Sequence, residues 1–109
     1  GGMSNTASGS FSTVGGGIGN TASGIESFAA GYSNIAAGNN SVAIGAQSEA
    51  HGNYSVALGR GAQNLNDGSF QFADSSPFLY TTAGVNNFRA RATGGVRFTT
   101  GIDGNGETT

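Results

Sequence analysis

Apolar and polar positions alternate along this chain in short bursts, and the bursts return at a fixed distance. Ser27-Phe28-Ala29-Ala30-Gly31, Ser41-Val42-Ala43-Ile44-Gly45 and Ser55-Val56-Ala57-Leu58-Gly59 are three copies of one frame, and Ser69-Phe70-Gln71-Phe72 is a looser fourth. The frame starts Gly17, Gly31, Gly45 and Gly59 are spaced by 14 residues, and Gly2 to Gly9 echo Gly17 to Gly24 at an offset of 15. A helical period of 3.6 occurs nowhere. Alternation by two, bounded by Gly and Asn, predicts short strands joined by tight turns.

Aligned copies show what each slot tolerates. One glycine opens every copy and a second recurs at Gly24, Gly38 and Gly52, so two turns per repeat with positive φ are expected there. Phe28, Val42, Val56 and Phe70 stand two residues before Ala30, Ile44, Leu58 and Phe72, which puts both sets on one strand face. The expected repeat core is therefore Phe28, Val42, Ile44, Val56, Leu58, Phe70 and Phe72. Ser27, Ser41, Ser55 and Ser69 and the turn glycines Gly31, Gly45 and Gly59 complete it. Ala29, Ala43, Ala57 and then Gln71 hold the opposite face, whose small residues imply crowding against a second and third copy of the chain. Ala22, Ala36 and Ala50 mark a second strand facing inward where the coil is narrow. One unit cannot bury its own apolar face, so units must stack, with Ser and Asn rungs satisfying one another and the turn backbone.

Composition narrows the choice. The 109 residues include 21 Gly, one Pro, no Cys and no Trp, with 9% charged, which allows one domain at most. Much of the apolar fraction is Ala, so a lone copy buries little and oligomerisation is expected to supply the rest. Net charge is −2 with four basic residues, all Arg, which gives no clustered basic face for nucleic acid. No apolar run approaches the roughly 18 residues of a spanning helix, so no direct membrane insertion is expected. No signal peptide is evident. The chain opens in mid-repeat and reads as a fragment of something longer. The absence of Cys decides nothing about compartment.

Asn40-Ser41-Val42-Ala43-Ile44-Gly45 and Tyr54-Ser55-Val56-Ala57-Leu58-Gly59 resemble the head repeats of YadA-like trimeric autotransporter adhesins. The Asn-Thr-Ala-Ser-Gly runs at 5–9 and 20–24 are similar to a variant of that repeat. The resemblance covers residues 1–72 and implies an all-β, left-handed parallel β-roll (a β-solenoid), assembled as a homotrimer in a bacterial surface adhesin head. Similar repeats also occur in phage tail fibres and other bacterial fibre proteins. Residues 73–109 depart from it, with no neck motif, heptad stalk or membrane anchor. They form an aromatic-rich capping region, in which Phe88-Arg89-Ala90-Arg91-Ala92-Thr93 and Val96-Arg97-Phe98-Thr99 around Gly94-Gly95 predict a β-hairpin with Arg89, Arg91 and Arg97 on one face. The segment also resembles the continuation of such repeats in fibre proteins that end in a self-cleaving chaperone domain.

Candidate chemistry is thin. His51, the single histidine, occupies a variable slot beside an inward Ala, so it should face solvent, and its own repeat offers it no partner. The carboxylates Glu26, Glu49, Asp67, Asp74, Asp103 and Glu107 fall in different slots, whereas glycoside hydrolysis needs two facing one sugar. Nucleophile triads fail without Cys and with one His. Gly15 to Asn20 lacks the Asp of calcium-binding nonapeptides, and Asp103-Gly104-Asn105-Gly106-Glu107 lacks a full calcium-ligand spacing. The sequons at Asn39 and Asn53 lie in the repeat's turn slot and read as repeat grammar. No enzyme, metal or cofactor is expected.

A ligand is expected on the outward positions Glu49, His51, Tyr54 and Arg60; Arg89, Arg91 and Arg97 form a stripe that could face an anionic glycan, although solvent or pairing with a neighbouring chain's Asp is the favoured reading. The function expected is a rigid extracellular fibre segment, on a bacterial cell surface or a virion or injection-system tail fibre. It would adhere by multivalent contact to host surface protein, matrix or glycan. A purely structural spacer is the rival, and an ice-binding solenoid fits less well because outward Thr is sparse.

Overall fold

The computed structural model describes residues 1–81 and 84–108. Thr82, Ala83 and Thr109, all within the expected capping region, lie outside the described residues. The strands in chain order are β1 (Thr6–Ala7), β2 (Thr13–Ile18), β3 (Thr21–Ala22), β4 (Phe28–Tyr32), β5 (Ile35–Ala36) and β6 (Val42–Ala46). They continue as β7 (Glu49–Ala50), β8 (Val56–Arg60), β9 (Ala62–Asn64), β10 (Phe70–Ala73), β11 (Tyr80–Thr81) and β12 (Phe88–Arg91). Odd strands form one six-stranded sheet and even strands another, each in sequence order. Every strand pair is parallel, and the register follows the repeat, with Val42 beside Val56 and Ile44 beside Leu58. The result is a β-solenoid of stacked rungs. The offset of 15 between the first two copies appears as a shift in pairing between Val14 and Gly16.

Glycine sets the spacing of the rungs. Gly31, Gly45 and Gly59 have φ of 117°, 126° and 104°, and a Cβ on Gly31 would lie 2.1 Å from the Gly45 carbonyl oxygen of the next rung. The second glycine column works differently from expectation. Gly24, Gly38 and Gly52 are absent from the left-handed region, which is occupied two residues later by Glu26, Asn40 and Tyr54 at φ 54°, 55° and 57°. These glycines are needed because each rung's backbone lies against the next: a Cβ on Gly38 would fall 1.9 Å from the Gly52 carbonyl oxygen.

The interior reverses the expected faces. Among the described residues, the buried apolar core consists of alanines only: Ala22, Ala29, Ala36, Ala43, Ala50, Ala57 and Ala62 at 0% exposure and Ala73 at 1%. Ser27, Ser41, Ser55 and Ser69 are buried with them. Phe28, Val42, Ile44, Val56, Leu58, Phe70 and Phe72, by contrast, point out of the roll and stay half-buried or exposed. The reason is width. A 14-residue rung with two turns leaves its sheets so close that Ala, Ser and Asn fill the gap, and branched side chains must take the outer slot. Ala29, Ala43 and Ala57 are therefore crowded by the roll itself and not by a second chain.

A second departure concerns the C-terminal region. Both sheets run on past residue 72 through β11 and β12, so the roll continues to Arg91. The expected hairpin does not form. β12 pairs in parallel with β10, Phe88 beside Phe70 and Arg91 beside Ala73, and residues 96–99 are in no strand. The last rung is 18 residues long instead of 14, since Phe88 follows Phe70 by that interval. Beyond it, the Gly95 amide donates to the Ala92 carbonyl and turns the chain away from the roll.

Candidate interaction surface

Inside the roll, an asparagine ladder joins successive rungs. Asn20 Nδ2 donates to Asn5 Oδ1 at 3.0 Å and Asn34 Nδ2 to Asn20 Oδ1 at 2.9 Å, while the Ser48 amide donates to Asn34 Oδ1 at 2.9 Å. Each Nδ2 also reaches a turn carbonyl of the following rung, Gly31 for Asn20 and Gly45 for Asn34. The serine column closes the other turn, with Ser27 Oγ donating to Gly24 O at 2.7 Å and Ser55 Oγ to Gly52 O at 2.6 Å. Asn20, Asn34, Ser27 and Ser55 are thereby paired, which an interior this poor in apolar volume requires, whereas Ser41 Oγ in the same serine column is buried without a partner.

Outside, β4, β6, β8, β10 and β12 carry the large apolar side chains in two columns. The first runs Phe28, Val42, Val56, Phe70, Phe88 and the second Ala30, Ile44, Leu58, Phe72, Ala90. No charged residue stands in either column. Ile44 is 39% exposed, Phe72 38% and Phe88 66%. Phe70 and Phe88 stack with ring centroids 5.0 Å apart and 3° between planes. An unbroken uncharged stripe of this length on one sheet face is the mark of an interaction surface.

The expected ligand residues do not converge. Glu49 lies in β7 and His51 just after it, on the outer side of the odd-strand sheet, with His51 Nε2 2.8 Å from Glu49 Oε2. That pair corrects the expectation that His51 has no partner in its own repeat. Tyr54 stands exposed on a corner, and Arg60 at the end of β8 donates to the Ser75 carbonyl. Arg97 lies beyond the roll, where Nη2 donates to Thr108 Oγ1. The described residues enclose no pocket, and no three His, Cys, Asp or Glu side chains gather into a metal-holding group.

Arg89 and Arg91 are the largest correction. They are paired beside Gln71 and Ala73, in the slots that face the interior of earlier rungs. Arg91 Nε meets Asp74 Oδ1 at 2.9 Å, and its Nη atoms donate to the carbonyls of Phe78, Ser76 and Arg60. Arg89 donates to the Thr81 carbonyl. Both guanidinium groups lie over the Tyr80 ring, at 4.8 and 5.3 Å from its centroid. Below them Gln71 Nε2 donates to the Tyr80 carbonyl. The two arginines close the end of the solenoid by satisfying carbonyls and covering an aromatic ring, so they do not present an anion-facing stripe. The alternation of Arg with Phe and Ala carried no sign of this, because Tyr80 and Asp74 fall outside the 14-residue frame.

Parallel rungs, a closed small-residue interior and an exposed uncharged stripe define a structural β-solenoid segment. Residues 22–48 and 36–62 match the model of the YadA head domain repeat in two overlapping copies. Over residues 22–62 the chain is thus similar to that repeat. No curated protein and no solved structure matches the chain.

Proposed function

We propose that the chain is a segment of a homotrimeric bacterial surface fibre, in which copies join through the even-strand stripe and the remaining faces attach to host cells, matrix or glycans. One observation carries the assembly: the core of the roll is alanine, and the large apolar side chains of β4, β6, β8 and β10 (Phe28, Val42, Ile44, Val56, Leu58, Phe70 and Phe72) face outward. Covering a half-exposed Val, Ile, Leu or Phe is worth on the order of 1 kcal/mol each, so a second copy on the stripe gains what the narrow interior cannot hold. The number of three, the cell-surface location and the adhesive role follow from the head-repeat resemblance, and the chain acts without catalysis. Sedimentation at micromolar protein is expected to give a trimer, and a stable folded monomer overturns the assembly. A glycan array and cell-binding assay on that trimer test adhesion.

A structural spacer, in a surface filament or tail fibre, has its own support. Glu49 and His51 pair with each other, Arg60 and Arg97 bond to their own chain, and Arg89 and Arg91 are engaged in the end of the roll. Intact trimers that bind no glycan and no cell would favour the spacer.

A further inference from the structure

The stripe is not uniform, and its variation follows the rungs. Reading the two columns together, Phe28 with Ala30 is followed by Val42 with Ile44, Val56 with Leu58, Phe70 with Phe72, and Phe88 with Ala90. Two nearly interchangeable aliphatic rungs thus sit between aromatic ones. We propose that this pattern is a register key, which fits a second copy of the same chain like rung against like rung and excludes a copy slipped by one rung. The inference rests on the homotrimeric reading above.

Slip is the error a repeat invites. Adjacent rungs have the same backbone and lie about 4.8 Å apart, so a copy displaced by one rung meets almost the same surface. Between Val42/Ile44 and Val56/Leu58 nothing distinguishes the two alignments. Discrimination comes at the boundaries, where a slip sets Phe70 and Phe72 of one copy against Val56 and Leu58, or Phe88 and Ala90, of the other. The rings cannot easily turn aside to absorb that mismatch. Phe28 lies over Gly15, where a Cβ would stand 2.7 Å from its ring, and Phe70 is stacked on Phe88. Rings held by their own chain act as fixed shapes, and a mismatch then leaves voids on one side and overlap on the other. Slip also destroys closure: contacts displaced along the axis climb as an open screw, whereas like-on-like contacts close into a ring.

The test is self-sorting. A variant that moves the bulky rung by one, Val56→Phe with Leu58→Phe, Phe70→Val and Phe72→Leu, changes outward slots only. It is mixed with isotope-labelled wild-type chain after both are unfolded and refolded together, and the trimers are weighed by native mass spectrometry. Mixed trimers are expected about tenfold below their statistical share, because each mixed contact carries the boundary mismatch. Free mixing overturns the register key while leaving the trimer standing, whereas a monomeric wild type overturns the trimer and the key together. Should the shifted chain fail to fold, the wild-type trimer's amide spectrum still decides: one signal per residue is expected, and several sets, reporting slipped copies, overturn the proposal.

Discussion

Replacing Asn34 by alanine is the sharpest probe of what holds the roll together. The side chain is fully buried, and its Nδ2 lies 2.9 Å from Asn20 Oδ1, 2.8 Å from the Ala30 carbonyl and 2.8 Å from the Gly45 carbonyl. Its Oδ1 accepts from the Ser48 amide at 2.9 Å. With two hydrogens on Nδ2, truncation removes two donor bonds at about 1 kcal/mol net each, and it strands a buried Ser48 N–H whose desolvation costs a further ~1–3 kcal/mol. An expected loss of about 3–5 kcal/mol is a large part of a small domain's stability. Asn34→Ser should cost less, because Ser48 in the next rung keeps a 2.9 Å bond from its hydroxyl to the Gly59 carbonyl. Asn34→Asp should cost at least as much as alanine, since it sets a carboxylate against two carbonyl oxygens with no donor. Urea unfolding followed by far-UV circular dichroism, at one fixed protomer concentration, measures the series through the midpoint at unchanged slope. If Asn34→Ala loses under ~1 kcal/mol, or Asn34→Asp unfolds with the wild type, the ladder is not a principal source of stability and the argument fails.

Two further predictions test the spacing and the end of the roll. Gly38→Ala places a methyl 1.9 Å from the Gly52 carbonyl oxygen and should cost on the order of 3 kcal/mol, whereas Gly94→Ala meets nothing within 4 Å and should change stability by no more than ~0.5 kcal/mol. Equal thermal midpoints for the two variants would refute the stacking role of the second glycine column. Asp74 accepts from the Thr93 amide at 2.8 Å, the Ser76 amide at 3.2 Å and Arg91 Nε at 2.9 Å, and these bonds, Thr93 first, hold its carboxyl well below the usual carboxylate range. A depressed folded-state pKa means the stabilisation is complete above the unfolded value of about 3.9 and is lost as pH falls towards the folded one. Asp74→Asn should therefore be less stable than wild type at neutral pH and lose less on acidification below pH ~4. Parallel acid profiles for the two chains would refute it.

The rung frame was legible because every copy votes on every slot. Ala22, Ala36 and Ala50 could be placed inward, and the bulge at Val14 and Gly16 is visible as the one offset of 15. What alternation cannot tell is which of its two faces is inside. Large apolar residues are core by default, and here that default fails because the rung is too narrow for Val42 or Leu58 while Ala43 and Ala57 fill it. The end of the roll was illegible for a different reason. Arg89 and Arg91 are explained by Tyr80 and Asp74, and those partners arrive in a rung of 18 residues that breaks the 14-residue spacing of the preceding ones. A motif read by repetition gives no information where repetition stops.

The inversion of faces divides the labour between adjacent residues. Ala57 and Val56 are neighbours in β8, yet one has no exposed surface and the other stands on the open stripe. An alanine interior contributes little apolar burial per residue, so the rung must be defined by hydrogen bonds and close backbone approach: the Asn20–Asn34 ladder, the serine turns and the glycine columns. Those devices tolerate few side chains, which is why the inward slots hardly vary from copy to copy. The outward slots bear none of that load and run from Thr13 through Phe28 and Val42 to Phe70 without disturbing the ladder. Fold is thus written in the small residues and association in the large ones. A chain built this way can change what it meets, rung by rung, while keeping the solenoid that presents it.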